Sequence, residues 1–139
     1  VALLNILRLG RMTGNLDLEK IAEQIIKTFG ETINQHPSGY TQFMCALDFA
    51  LGPTREIVIA GEPDQKDTKQ ILQEIGKRFL PRKVLLLHPS KDRSIEKIAQ
   101  FIKEQLSIEG KATAYICENY ACNAPTNDIN KIIQLLEGQ

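Results

Sequence analysis

The 139-residue sequence has no tryptophan, only 6% aromatic residues and no net charge. Lysine plus arginine and aspartate plus glutamate balance at 17 each. Phosphate affinity rests on clustered Lys and Arg, so the balance argues against nucleic acid and anionic lipid as partners. No stretch reaches the roughly 20 continuous apolar residues of a membrane-spanning helix, and no membrane association is expected. Cysteine is scarce too: three residues, an odd number, none in a CxxC arrangement. That favours free thiols in a reducing, cytoplasmic setting over a secreted disulfide scaffold. Glycine-rich phosphate loops are missing. Gly61-Glu62-Pro63-Asp64 has one glycine, two acids and a proline, a corner that repels phosphate and argues against P-loop or Rossmann nucleotide binding. The two histidines lie outside any nucleophile-elbow context, so no Ser-His-Asp triad assembles and no catalytic residue is assigned. Val1–Arg8 lacks the basic leader and small-residue cleavage site of a signal peptide. A helical pattern under way at the first residue, with no initiator methionine, suggests a fragment of a longer polypeptide.

What is present begins with helices. Leu3, Leu4, Ile6, Leu7, Leu9 and Met12 make a first helix apolar on more than one side, as in a helix buried from several directions. Leu18, Ile21, Ala22, Ile25, Ile26, Phe29 and Ile33 form the stripe of a second, with Asn15 or Asp17 as its cap and His36-Pro37-Ser38-Gly39 as its stop. A third runs from about Tyr40 to Leu51, ended by Gly52-Pro53. The rhythm then changes. Ile57–Ala60, Val84–Leu87 and Ala112–Cys117 are short apolar runs without alternation, which suits strands covered on both faces and hence a parallel sheet. Each precedes an amphipathic stripe: Ile71, Leu72, Ile75, Phe79; then Ile95, Ile98, Ala99, Ile102, Leu106; then Ile129, Ile132, Ile133, Leu136. Asp67, Ser94 and Thr126 stand where N-caps belong. The expected architecture is α/β: helical hairpins over residues 1–53, then a small three-layer unit over 54–139 with a three-stranded parallel sheet in the order β-α-β-α-β-α.

Several phrases in order carry a resemblance: Asn5–Gly14 (NILRLGRMTG), Met44–Phe49 (MCALDF), Arg55–Gly61 (REIVIAG), Arg78–Pro81 (RFLP) and Ala112–Cys122 (ATAYICENYAC). Together they resemble the C-terminal end of the large thioredoxin-domain-containing proteins of the YyaL / spermatogenesis-associated protein 20 type. The resemblance implies a parent with an N-terminal thioredoxin-like domain, then an (α/α) toroid similar to six-hairpin glycosidases, then this tail. Residues 1–53 would be the toroid's last hairpins. Neither the thioredoxin motif nor the toroid's acidic pocket has a counterpart in these residues.

Candidate ligand-binding residues gather where an open parallel sheet would place them, at the carboxyl ends of its strands. Gly61 follows the first strand and His88 ends the second; Cys117, Glu118, Asn119 and Cys122 follow the third. Cys117 and Cys122 read either as a thiol pair or half a metal site completed by His88, or as a small buried hydrophobe beside a loop thiol. Their five-residue offset is wrong for a zinc knuckle and for CxxC redox chemistry, and a disulfide requires the corner between them to fold back. No cofactor is implied. The leading functional reading is a non-catalytic C-terminal module that packs on and stabilises the toroid, its partner being the rest of the parent chain. In isolation such a fragment is expected to self-associate. The alternatives are a thiol- or metal-dependent site at Cys117/Cys122/His88, or small-molecule binding at the strand ends.

Overall fold

The computed structural model describes residues 1–138. Three helices come first: α1 (Ala2–Thr13), α2 (Leu16–Gln35) and α3 (Thr41–Leu51), the last two joined by a 3-10 turn at Pro37–Tyr40. Gly14 takes the left-handed conformation (φ 68°) that stops α1, and the Asn15 side chain then caps α2 by accepting from the Asp17 and Leu18 amides. The apolar stripes meet at Leu3, Leu7, Ala22, Ala46 and Phe49, joined by Val84 from the sheet. The helical layer is therefore seated on the sheet.

The sheet holds β1 (Arg55–Ala60), β2 (Lys83–His88), β3 (Thr113–Glu118) and a two-residue β4 (Ala121–Cys122), in the order β2-β1-β3-β4. β1 and β2 run parallel, Arg55 opposite Lys83 and Ala60 opposite His88. β3 runs antiparallel to β1, placing Glu118 opposite Arg55 and Thr113 opposite Ala60. Ile57, Ile59, Ala114 and Ile116 face α4 (Lys66–Gly76) and α5 (Ile129–Glu137) through Ile71, Ile75, Ile132 and Leu136. Val58, Leu86 and Tyr115 face the opposite layer, where Met12, Ala99 and Ile102 cover them. Both faces are closed, as the apolar runs predict.

Direction is where the expectation is corrected: the sheet is mixed and four-stranded, not three parallel strands. Two-sided burial removes the in/out alternation whichever way a strand runs, so the pattern reports coverage and not polarity. The second expected crossover helix is also absent. Residues 94–102 form two short 3-10 turns, Ser94–Lys97 and Gln100–Ile102. Because β3 starts at the end of the sheet where β2 finishes, the link between them has no sheet length to retrace. It lies over the face and buries Ala99 and Ile102 there. All three caps expected after the strands shift as well: the N-cap position of α4 is Gln65, with Asp67 inside the helix. Asp128, not Thr126, caps α5 through the Asn130 amide, and Asp92, not Ser94, accepts at the start of the 3-10 segment.

Asp67 lies inside α4, where its carboxylate accepts from the Thr68 amide at 2.8 Å and the Ala112 amide at 2.7 Å. The Ala112 bond is the main reason its carboxyl is held below the usual range. A depressed folded value contributes stability that is present above about pH 4 and lost as pH falls through it. Asp67→Asn is expected to lose about 1 kcal/mol at pH 7. In paired urea titrations that gap should close toward pH 3; a gap unchanged between the two pH values would contradict the assignment.

Candidate functional site

Antiparallel β3 separates the candidate residues into two groups. Gly61 and His88 sit together at one end of the sheet, with the Gly61 amide bonded to the His88 carbonyl at 3.2 Å. Cys117, Glu118, Asn119 and Cys122 sit at the other end, because Cys117 lies opposite Glu56 while His88 lies opposite Ala60. Glu56 to Ala60 is roughly 13 Å along a strand. The shared Cys117/Cys122/His88 centre is therefore not assembled.

At the first end, His88 is buried, its Nδ1 facing the Gln105 carbonyl and its Nε2 facing Glu96 Oε1, both at 2.8 Å. Each ring nitrogen lies within hydrogen-bond distance of an oxygen, so the imidazole fastens the segment after β2 to the sheet and neither nitrogen is free for a metal. Glu62 accepts from the Ser90 and Lys91 amides at 2.9 and 3.0 Å. The Ser90 hydroxyl, its strongest partner, helps hold its carboxyl below the ordinary range. A cavity of about 270 Å³ opens here, lined by Gly61, His88, Ser90, Arg93, Leu106 and Ser107. Gly61 itself is explained by packing: a Cβ there would stand 2.6 Å from Thr68 Oγ1 and 3.0 Å from Ala112 Cβ.

The second end is the richer one. Cys117 and Cys122 are cross-strand neighbours and are joined by a disulfide, while Cys45 is a free, exposed thiol. The free-thiol expectation is thus corrected for two of the three cysteines. The chain folds back because Asn119 and Tyr120 both take positive φ, 49° and 67°. That is the turn geometry a two-residue hairpin loop requires. Asparagine tolerates it, whereas a tyrosine there is unusual and is held from outside. The Tyr120 amide donates to Glu56 Oε2 at 3.1 Å, its hydroxyl donates to Glu19, and the Arg11 guanidinium lies 4.2 Å from its ring centre. Burial, and next the bond to Glu19, push the phenol well above its ordinary value, so it stays a donor.

Arg11 is the hub of the cluster. Its Nη1 donates to Glu56 Oε1 at 3.0 Å and its Nε lies 3.3 Å from Glu19 Oε1. Glu56 is 4% exposed although it sits in a hydrophobic strand. Asn119 accepts from the Thr54 amide at 3.1 Å and donates its own amide to the Thr54 carbonyl at 3.0 Å, pinning the turn to the seam between helices and sheet. Glu118 pairs at 3.5 Å with Arg55 near the surface. Beside the disulfide lies a cavity of about 430 Å³ bounded by Arg11, Leu16, Glu56, Phe101, Gln105 and Tyr120, among others.

Arg11, Glu19, Phe101 and Gln105 carry no signal of their own in the sequence, whereas Glu56, with Arg55 and Asp48, reads there as a candidate for an ion pair tying helices to sheet, alongside the alternative of solvated charges. The available signal was a carboxylate at an inward position of Arg55-Glu56-Ile57-Val58-Ile59-Ala60, which demands a buried cation. No spacing rule names Arg11, forty-five residues away, as that cation.

These elements define a mixed α/β module covered on one side by a helical layer and locked to it by a buried ion pair. The chain is homologous to part of spermatogenesis-associated protein 20, being 32% identical over 133 residues to the proteins of Rattus norvegicus, Homo sapiens and Mus musculus. That match covers 95% of the chain and 17% of each of these curated relatives, so the chain spans about a sixth of their length. These relatives are of the type that the ordered sequence phrases resemble. No protein-family model matches the chain, and no solved structure matches it significantly. Among the described residues, no helix is long and apolar enough to cross a membrane.

Proposed function

We propose that the chain is a non-catalytic C-terminal module of a longer protein, and that it packs on and stabilises a preceding helical toroid. The supporting observation is the bare apolar surface of the helical layer. On the 20-residue α2 only Ala22 and Ile33 are buried, while Leu16, Ile21 and Phe29 are 62%, 44% and 52% exposed. Leu51 on α3 is 85% exposed. Apolar surface of this kind on a folded domain marks an interaction face. The partner in this reading is the remainder of a parent chain, with residues 1–53 continuing its helices and 54–139 forming the closing α/β unit; the short span of the match to its relatives supports it. The thioredoxin-like domain and toroid are what the family resemblance implies for that remainder.

The test is association in trans. A parent chain ending before Val1, mixed with the 139-residue chain, should bind it with a Kd of about 1 μM or tighter. Ile21→Asp together with Phe29→Asp should weaken binding at least about tenfold without unfolding the chain. Absence of association, with the isolated chain remaining monomeric in sedimentation at about 100 μM, would overturn the proposal.

A further inference from the structure

The Cys117–Cys122 bridge sits at the rim of the sheet. In the order β2-β1-β3-β4 it ties on the outermost strand, whose ladder to β3 is only two residue pairs long. Cys117 is buried, whereas Cys122 is exposed. Both line the cavity of about 430 Å³, which gives a small thiol a route to the sulfurs. Cys45 lies on α3, outside that lining, so a reductant for the bridge has to come from elsewhere. A single cross-link beside an unpaired exposed thiol is not the dense framework of a disulfide scaffold, and exposed bridges are the kind that reduce readily.

Breaking this bond would free one short loop and no more. Beyond Cys122 the chain is held again, by the Asn123 amide on the Ile116 carbonyl at 3.0 Å and by the reciprocal backbone bonds of Ala114 and Thr126 at 2.8 and 3.1 Å. Within the loop lie Asn119 and Tyr120, both at positive φ. That conformation is unfavourable for tyrosine, and the covalent ring closed through the two cysteines helps to hold it there. The same two residues make the contacts to Thr54, Glu56 and Glu19 that tie sheet to helical layer.

We propose that Cys117–Cys122 is a reversible thiol–disulfide exchange site, opened by a dithiol that reaches it from the cavity, and that its redox state sets how firmly the Asn119–Tyr120 turn holds the helical layer to the sheet. A thiolate of the dithiol attacks the exposed Cys122 Sγ. The S–S bond breaks, and its electron pair goes to Cys117 Sγ, which takes up a proton. The second thiolate of the reductant then attacks the reductant's own sulfur in the mixed disulfide and expels Cys122, which is protonated in turn. Two thiols have formed and the dithiol has become a disulfide. With the bond gone, Tyr120 relaxes out of positive φ and releases Glu56 and Glu19. Every group involved belongs to this chain, so the exchange does not rest on docking to a parent.

The test starts from the oxidised 139-residue chain in native buffer, its free thiols counted by alkylation and mass measurement. About 5 mM dithiothreitol should raise that count from Cys45 alone to all three cysteines without denaturant. In the reduced chain the Asn119 and Tyr120 amides should exchange hydrogen at least about tenfold faster by NMR, while those of Ile57 and Ile59 stay within about twofold. Oxidised glutathione should restore both the bridge and the protection. Cys122→Ser should show the fast exchange from the start and be unmoved by dithiothreitol. A bridge that withstands dithiothreitol overnight would overturn the proposal, as would a reduced chain that protects Asn119 and Tyr120 unchanged. Loss of protection along β1 as well would do the same, because the bond would then hold up the whole fold and not one turn.

Discussion

Replacing Glu56 with alanine should destabilise the chain by about 3 kcal/mol, read from urea unfolding at pH 7 and moderate salt. The carboxylate is 4% exposed, and it satisfies both Arg11 Nη1 and the Tyr120 amide. Its removal strands a guanidinium in a shielded place and an amide in a strained turn. Breaking a buried pair by deleting one partner typically costs 3–5 kcal/mol. The lower end applies here because Arg11 keeps Glu19 and its side chain is 18% exposed. Two companion variants separate charge from packing. Glu56→Gln keeps an acceptor and should lose about half as much. Arg11→Met with Glu56→Leu removes both charges and should recover most of the loss, since an apolar pair of similar volume often substitutes for a buried ion pair at little cost. A loss below about 1 kcal/mol for Glu56→Ala would show that the pair does not lock the layers together.

The second large effect is expected at the other end of β1. Gly61→Ala would bring a methyl group to 2.6 Å from Thr68 Oγ1, 3.0 Å from Ala112 Cβ and 3.3 Å from Ala112 Cα. Overpacking of this kind costs about 1–3 kcal/mol, and the upper half is expected because two of the three contacts are not the tips of flexible side chains. Thr68 gives a clean control. Its hydroxyl is buried and has no hydrogen-bond partner, so Thr68→Ala alone sacrifices little. In the Gly61→Ala background it should restore part of the stability, a coupling that thermal melts of the four-member cycle would reveal. Strict additivity would mean that the glycine is needed for some reason other than this contact.

What could be read from the sequence follows from what each pattern physically encodes. The helical stripes report where α1, α2, α3, α4 and α5 form, although Ile21 and Phe29 of the α2 stripe stay exposed and Phe79 falls beyond α4 and is exposed too. Asn15 caps α2 as its position before the stripe implies. The three apolar runs likewise report burial on two sides, and β1, β2 and β3 form there. Strand direction is a different matter, since it depends on which ends the connecting segments join. Ile95, Ile98, Ala99 and Ile102 satisfy helical spacing, yet two short turns suffice to bury Ala99 and Ile102. Local spacing does not specify how far a link must travel. The candidate site was half legible. Cys117 and Cys122 line a cavity, whereas placing His88 beside them required the strand polarity that burial patterns do not contain. The Arg11–Glu56 pair joins residues brought together only by the helical layer settling on the sheet.

The antiparallel placement of β3 also bears on how the chain is made. As the polypeptide leaves the ribosome, the central strand emerges early and finds its first neighbour once Lys83–His88 appears. Its second neighbour, Thr113–Glu118, is synthesised much later, so one hydrogen-bonding edge of Ile57-Val58-Ile59-Ala60 stays open in the meantime. A nascent chain halted in that interval displays a hydrophobic ribbon prone to wrong pairing until Thr113–Glu118 has been translated.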